Sequence, residues 1–289
     1  MNNALKRAIT SHPRVFEKNR YVYPVISRRS QGLSVGVNLN PDKICNFDCI
    51  YCQVDRTVAP QYRDVDLTRL ETELRALIED AQSGVLFNHP TFSDIPDALK
   101  RINDIAFSGD GEPTTYPQFG NVVQLATQIK IDLNLPDVKL VVITNATRFH
   151  RPNVLEALEE MHQNNGEIWA KLDAGTAEYY DIVERTKVSF DQVVQNLHLA
   201  AQQWPIVIQS LFMRINDEPP SKTEIEAYCN VLSDIQQKNG SLKGIQVYTV
   251  ARQPAESFVA PLSNEEVDHI ANQVKQTLNN VPVDVYYGA

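Results

Sequence analysis

The stretch Cys45–Cys52, CNFDCIYC, places three cysteines within eight residues of a 289-residue chain that has one further cysteine, Cys229. Three and then two residues separate these cysteines, so one loop can present three thiolates to a compact inorganic group. Iron-sulfur clusters are held by thiolates, and a cluster of four irons normally takes four of them. Three thiolates would leave one iron open to a non-protein ligand, as a three-ligand zinc site leaves a position open for catalysis.

Cys229 is a poor candidate for the fourth ligand. In TEIEAYCNVLSDI it shares the apolar face of a predicted helix with Ile225, Leu232 and Ile235. Cysteine is often buried simply as a small hydrophobic residue. We therefore predict that Cys229 packs in the core and leaves the metal site to the loop.

Two other interpretations of the cysteine loop stay open at this point. One is a zinc-stapled interaction domain, although zinc sites usually draw on paired CxxC or Cys/His sets and the six histidines are not clustered in sequence. The other is a non-catalytic iron-sulfur protein that transfers electrons or senses redox state. Such a protein would generally complete the four thiolates of its cluster.

The loop resembles the CxxxCxxC motif, with an aromatic residue before the last cysteine, of the radical S-adenosylmethionine (SAM) superfamily. The resemblance implies a 4Fe-4S cluster on Cys45, Cys49 and Cys52, with SAM chelating the open iron and Tyr51 among the SAM-binding residues. It implies that an electron from the reduced cluster cleaves SAM to methionine and a 5′-deoxyadenosyl radical, which abstracts hydrogen from a substrate. An electron donor such as flavodoxin or ferredoxin is implied as well.

A second stretch, FSGDGEPTTYP, follows the next predicted strand and resembles the Gly-Gly-Glu-Pro-like motif that holds the amino group of SAM in this superfamily. Gly111, Glu112 and Pro113 fit that motif, and Asp110 stands where the commoner pattern has its first glycine. Glycine lets a backbone approach a ligand closely, and a carboxylate accepts hydrogen bonds from an ammonium group. We predict that Gly109, Gly111 and Glu112 bind SAM.

Further polar residues fall at the ends of predicted strands, where a parallel α/β barrel places its chemistry. Thr144 and Asn145 are similar to positions that contact the SAM ribose or carboxylate in relatives, and Asp173 is the favoured polar group on the substrate side or the SAM side. The remaining candidates of this kind are Lys171, Gln209, Ser210 and Arg252. Each of these residues could instead be a cap or a solvated strand end.

Alternation of strands and helices predicts the fold class. Strand patterns recur at LSVGVNL, DIAFSG, VKLVVIT, EIWAKLD, PIVIQSLFM, GIQVYTV and VDVYYG. Helix starts are predicted where capping-box spacing occurs, at Thr68/Glu71, Ser189/Gln192, Ser221/Glu224 and Ser263/Glu266, and at Pro152. Such alternation implies parallel strands joined by right-handed crossovers. We predict an α/β fold, a partial (β/α)6-type TIM barrel over residues 33–289, with an N-terminal extension at 1–32 and a possible insertion at 84–103.

The resemblance extends over roughly residues 33–287 and points to a compact, single-cluster subgroup that includes relatives of wybutosine-synthesis enzymes. It implies an enzyme whose substrate is unidentified. RNA modification is the alternative within this class. A net charge of +6 over residues 1–63 favours that alternative, whereas a net charge of −15 over the remainder opposes it.

Composition sets limits on compartment. The chain is 43% hydrophobic and 22% charged, which is typical of a globular protein. Its apolar runs fall well short of the roughly 18 residues that a membrane span needs, and its first 20 residues lack the apolar core of a signal peptide. We expect a cytoplasmic protein without membrane partners, in which a reducing environment keeps the cysteines as thiols or metal ligands.

Overall fold

The computed structural model describes Arg14 and residues 16–288. Its strands are β1 Val22–Ser27, β2 Gly32–Val37, β3 Ile102–Phe107, β4 Lys139–Thr144, β5 Gly166–Lys171, β6 Ile206–Ile215, β7 Leu242–Thr249, β8 Val259–Pro261 and β9 Val283–Tyr286. Its α-helices are α1 Leu67–Ser83, α2 Phe119–Asp132, α3 Pro152–Gln163, α4 Ala177–Glu184, α5 Phe190–Gln203, α6 Lys222–Gln237 and α7 Asn264–Thr277. Short 3-10 turns lie at Val85–Asn88, Asp97–Leu99 and Pro113–Thr115.

The chain divides into two compact units. The first unit consists of Met1–Cys45, Arg56–Ile143 and Asn153–Glu167, and the second of Asn46–Asp55, Thr144–Pro152 and Ile168–Ala289. This interleaved division differs in kind from the predicted extension at 1–32 and domain at 33–289. Those predicted boundaries, part of which lies outside the described residues, stay a prediction.

In the first unit four strands form the core. β1 pairs antiparallel with β2, β2 pairs parallel with β3, and β3 pairs parallel with β4. The period-2 pattern of LSVGVNL predicts a strand there, and β2 is buried on both of its faces. Burial on both faces is expected of a parallel sheet covered by helices.

The second unit repeats the parallel arrangement. β5, β6, β7 and β9 pair in that order, each parallel to the next, and β8 pairs antiparallel with β6. Every strand predicted from the sequence is therefore present. The alternating α/β class with mostly parallel strands is confirmed.

Most of the predicted helix starts are correct. Ser189, Ser221 and Ser263 each accept a hydrogen bond from the amide three residues on, and Ser263 with Glu266 forms a complete capping box. Pro152 is the first residue of α3. The start at Thr68 is wrong, because Asp66 caps α1 by accepting from the Arg69 amide at 3.1 Å. Asp and Thr are both good N-caps, and spacing alone did not rank them.

Several elements escape the sequence patterns. β8 has three residues and α4 has only two turns, whereas β1 has Pro24 inside its apolar run, which weakens a strand pattern. The segment 84–103, predicted as a possible insertion, forms two 3-10 turns and buries apolar side chains at Leu86, Phe87, Phe92 and Ile95. Among the described helices, none combines the length and the apolar character needed to cross a membrane.

Candidate functional site

The end of α4 holds the cysteine loop in the second unit. The amide of Asp48 donates to the Glu184 carbonyl at 3.0 Å, and the amide of Ile50 donates to the Val183 carbonyl at 2.9 Å. The last carbonyls of a helix lack partners within the helix, so the loop satisfies them on both sides of Cys49. A further bond from the Cys52 amide to the Cys49 carbonyl at 2.9 Å closes the CxxC turn.

Asn46, the residue after the first cysteine, is fixed by three side chains. Its carbonyl accepts from the Thr186 hydroxyl at 2.7 Å, and its side-chain oxygen accepts from the Asn145 amide at 2.9 Å. Its own side-chain amide donates to the Thr147 hydroxyl at 2.7 Å. Asn145 is buried and therefore acts as an anchor of the cysteine loop. Its predicted contact with SAM stays a prediction.

Apolar side chains of the loop pack into the second unit. The Phe47 ring meets Tyr180 edge to face with 5.8 Å between ring centroids. Ile50 is buried with Val183, Leu211 and other apolar residues in one core cluster. This packing orients the loop. Its apolar side chains are buried in the interior, whereas its three thiols are only half-buried.

The cysteines have the chemistry that an iron-sulfur cluster requires. All four carry thiols rather than disulfide sulfurs, with Cys45, Cys49 and Cys52 half-buried and Cys229 buried. Within the described part of the chain, no three His, Cys, Asp or Glu side chains are close enough to hold a single metal ion. A cluster presents a separate iron to each thiolate, so its donors need not converge on one point.

The Cys49 thiol lies in an acidic environment. Burial raises its pKa, and the neighbouring Glu184 carboxyl, to which the thiol donates a hydrogen bond, raises it further. Burial and Asp173 in turn raise the pKa of Glu184. A thiol that binds a metal is deprotonated by that metal. Binding of iron, rather than the surrounding protein, would therefore cause the Cys49 thiol to lose its proton.

Asp173 is the centre of a buried hydrogen-bond network beyond the end of β5. Its side chain has no exposed surface and accepts from the Tyr51 hydroxyl at 2.6 Å and the Leu211 amide at 2.7 Å. The Lys171 ammonium lies 3.0 Å from the same carboxylate. The structure thus joins three of the residues singled out in the sequence, Tyr51, Lys171 and Asp173.

Lys171 is held as a cation by its neighbours. Its ammonium also donates to the Tyr248 hydroxyl at 2.9 Å and lies 4.9 Å from the centroid of the Tyr51 ring. Burial alone would lower the pKa of Lys171, but Asp173 and Tyr248 outweigh that effect and raise it above its usual value. Burial, and then Asp173, raise the pKa of Tyr51, which therefore stays a phenol that donates.

In the first unit, the GDGEP loop packs against residues 38–44, which connect β2 to Cys45. A side chain at Gly111 would overlap the carbonyl oxygen of Ile44, the residue before Cys45, and one at Gly109 would overlap Asn38. Asp110 accepts from the Asn38 side chain at 2.7 Å and from Arg14 at 2.8 Å. Glycine is therefore required at positions 109 and 111, because the neighbouring chain leaves no room for a side chain there. Asp110 links the loop to Asn38 and Arg14 through its hydrogen bonds.

Glu112 is buried and caps the short turn that follows it. Its side-chain oxygen accepts from the Thr114 amide at 3.1 Å and from the Thr114 hydroxyl at 2.5 Å. Pro113 starts the 3-10 turn directly behind it. The turn fixes the orientation of the carboxylate, and the assignment of Glu112 to the amino group of SAM stays a prediction.

The other strand-end candidates have different surroundings. Thr144 accepts from the Ala146 amide at 3.1 Å, which is a local cap. Gln209 and Ser210 point to opposite faces of β6, since Gln209 donates to Gln246 of β7 at 2.7 Å and Ser210 shares a hydrogen bond with Tyr228 of α6 at 2.6 Å. Arg252 donates to Gln53 at an exposed position.

Four residues that build this region were not singled out from the sequence. They are Asn46, Glu184, Thr186 and Tyr248. Asn46 lies inside the cysteine motif, between Cys45 and Cys49, so the motif itself could have indicated it. The other three lie far from the motif in sequence, and only the pairing of β6 with β7 and the end of α4 place them beside it.

The comparisons with known proteins decide the family. Residues 39–224 match the family model of the Radical SAM superfamily, which covers more than half of the chain. The chain belongs to the radical SAM superfamily. Superfamily membership confirms the resemblance inferred from the cysteine motif, and it supports the prediction of an enzyme.

Two curated relatives match with limited coverage. One is a UPF0026 protein of Helicobacter pylori strain 26695, which is 33% identical over 138 residues, 47% of this chain and 38% of that protein. The other bears the name GTPase Obg in Brachyspira hyodysenteriae and is 24% identical over 257 residues, 85% of this chain and 32% of that protein. The chain therefore spans about a third of the length of these relatives.

Two solved structures have the same fold. TYW1 with a lysine-pyruvate adduct bound matches at a TM-score of 0.55 and 16% identity, over 87% of this chain and 74% of that one. Streptococcus suis SuiB bound to SAM matches at a TM-score of 0.56 and 11% identity, over 91% of this chain and 49% of that one. These likenesses confirm the partial-barrel α/β fold class.

Proposed function

We propose that this chain is a radical SAM enzyme that holds a 4Fe-4S cluster on Cys45, Cys49 and Cys52 and acts on a substrate not yet identified. The observation that carries the proposal is the CxxxCxxC loop with three half-buried thiols in a chain of the radical SAM superfamily. The anchoring of that loop on both sides of Cys49 supports it. A donor such as flavodoxin or ferredoxin would supply the electron.

The second unit anchors the part of the loop that carries Cys49 and Cys52. A cluster held on the three thiolates would pass one electron from the external donor to SAM, and that electron would cleave SAM to methionine and a 5′-deoxyadenosyl radical. Asn145 and Thr186 keep Asn46 in place, and the end of α4 keeps the amides flanking Cys49 in place. Groups around the ligands of a metal site orient those ligands. We therefore propose that these hydrogen bonds hold the loop in one geometry.

Binding of SAM is assigned to the residues that the sequence motifs and strand ends indicate. Glu112 supplies a buried carboxylate of fixed orientation for the amino group of SAM. Gly109 and Gly111 keep the backbone of their loop close to its neighbours, and Thr144, Asn145 and Asp173 supply further polar groups. SuiB, a protein with the same fold, has been captured with SAM bound, which supports SAM as the small-molecule cofactor.

The surroundings of Lys171 do not favour formation of a lysine-pyruvate adduct, the species named for the structural neighbour TYW1. TYW1 has been captured with a lysine-pyruvate adduct, and formation of such an adduct needs a neutral amine as nucleophile. In this chain the buried ion pair with Asp173 and the bond to Tyr248 keep Lys171 protonated. We therefore assign Lys171 a role in positioning Asp173 and Tyr51 rather than in bonding to a carbonyl substrate.

The test is the formation of 5′-deoxyadenosine. Anaerobically reconstituted protein is reduced with dithionite in the presence of SAM, and the nucleoside is quantified beside the iron content. We expect 5′-deoxyadenosine from the wild-type chain and from Cys229→Ala, and none from Cys49→Ala. Full formation in Cys49→Ala would contradict the cluster assignment.

A further inference from the structure

A row of polar side chains crosses three neighbouring strands of the second unit. Lys171 of β5 lies opposite Gln209 of β6, and Gln209 lies opposite Gln246 of β7 in the strand register. Side chains at matched positions of parallel strands share one face of the sheet. Large branched apolar residues usually fill such interior rows in α/β barrels, so a row of one lysine and two glutamines is unusual.

Gln209 has an unused acceptor in this row. The residue has no exposed surface, and its side-chain amide donates to the Gln246 oxygen at 2.7 Å. The side-chain oxygen of Gln209 is itself buried and has no hydrogen-bond partner. A buried polar atom without a partner is destabilising and calls for an explanation, such as a ligand absent from the structure.

Packing on the other face of β6 does not account for this acceptor. Ser210, the next residue, points to that face and is satisfied by Tyr228 of α6 at 2.6 Å. Gln209 instead lies on the face that bears Lys171 and Tyr248, which are bonded to each other at 2.9 Å. The unused acceptor therefore lies on the same side of the sheet as the Asp173 network.

We propose that Gln209, supported by Gln246, is a substrate-recognition residue whose side-chain oxygen accepts a hydrogen bond from an N–H or O–H group of the substrate. This inference rests on the proposed function and names the substrate class for it. The class is a polar molecule that presents an amide, amine or hydroxyl donor to this row. An anionic carboxylate or phosphate is not favoured, because Asp173 already neutralises Lys171, the cation of the row.

The first test measures stability and needs neither cluster chemistry nor substrate. Three variants of the full chain are compared by their thermal unfolding midpoints: Gln246→Met, Gln209→Met and the double variant. Gln246→Met should lower the midpoint, because it leaves the amide of Gln209 without an acceptor. The double variant should match or exceed the wild-type midpoint, because it removes the pair and the unused acceptor together. A double variant that unfolds below the wild-type midpoint would overturn the proposal, because the pair would then be structural.

The second test uses two small probes of similar size, glycinamide and acetate, in saturation-transfer NMR titrations. Glycinamide carries N–H donors, whereas acetate is an acceptor only. We expect glycinamide to bind the wild-type chain and to bind the double variant about tenfold more weakly, the loss expected for one hydrogen bond. Equal glycinamide affinities, no glycinamide binding, or acetate binding that the double variant loses would each overturn the proposal. Because neither test depends on SAM cleavage, a failure here is distinguishable from a failure of the proposed radical chemistry.

Discussion

Replacing Asp173 with asparagine tests the buried network most severely. The carboxylate is wholly buried, and the Lys171 ammonium at 3.0 Å is mostly buried too. Asparagine keeps the size of the side chain and leaves the buried cation of Lys171 without its counter-charge. Removing one partner of a buried ion pair costs about 3–5 kcal/mol.

The assay is chemical and thermal unfolding of four proteins in a double-mutant cycle. Asp173→Asn should lower the unfolding midpoint by roughly 6–10 °C, at about 2 °C per kcal/mol for a chain of this size. Lys171→Met combined with Asp173→Asn should recover about 2 kcal/mol or more, because both charges are then gone. Asp97→Asn is the matched control, since Asp97 pairs with Lys100 at a position that is 95% exposed and should change stability by less than about 0.5 kcal/mol.

Two results would refute this reasoning about the ion pair. One is an Asp173→Asn variant as stable as Asp97→Asn, which would mean that solvent reaches the pair. The other is a double variant whose loss equals the sum of the single losses. That additivity would show that Lys171 and Asp173 do not interact.

Three further predictions concern iron, pH and lysine reactivity. Cys49→Ala should lose most of the iron that the wild-type chain takes up on reconstitution. Cys229→Ala should keep that iron, because Cys229 is buried in α6. A colorimetric iron assay checks both variants, and iron loss in Cys229→Ala would contradict this prediction. Burial raises the pKa of Asp104 above 3.8, so its contribution to stability is present below that pH and is lost as pH rises through the folded pKa. Asp104→Asn should therefore gain stability relative to wild type as the pH rises above 3.8 in denaturant titrations, and a constant difference would count against it. Borohydride reduction in the presence of pyruvate should leave Lys171 unlabelled in peptide mass maps, and a labelled Lys171 would show that its amine is available.

The sequence was informative wherever the chemistry is local. The cysteine spacing and the GDGEP stretch led to the superfamily that the family model confirms, and the capping serines located three helix starts. Apolar runs located the parallel strands because buried strands need continuous apolar sequence. Burial of Cys229 followed from the apolar face of its helix.

The residues that the sequence did not indicate depend on contacts between distant segments. Glu184 reaches Cys49 because the end of α4 binds the loop, and Tyr248 reaches Lys171 because β5, β6 and β7 pair in register. Gln209 and Ser210 were equivalent in sequence, yet the alternation of β6 sends one to the Lys171 face and the other to α6. The register between strands decides which face each of these side chains occupies, and the local sequence pattern does not reveal that register.

We propose above all that the thiolates of Cys45, Cys49 and Cys52 hold a cluster whose open iron binds SAM. The most direct measurement is electron paramagnetic resonance of the reduced, reconstituted chain, recorded with and without SAM beside an iron and sulfide count. We predict about four irons per chain and a signal whose g-values change on addition of SAM in wild type and Cys229→Ala. A four-iron signal that SAM leaves unchanged, or one that persists in Cys49→Ala, would contradict the account.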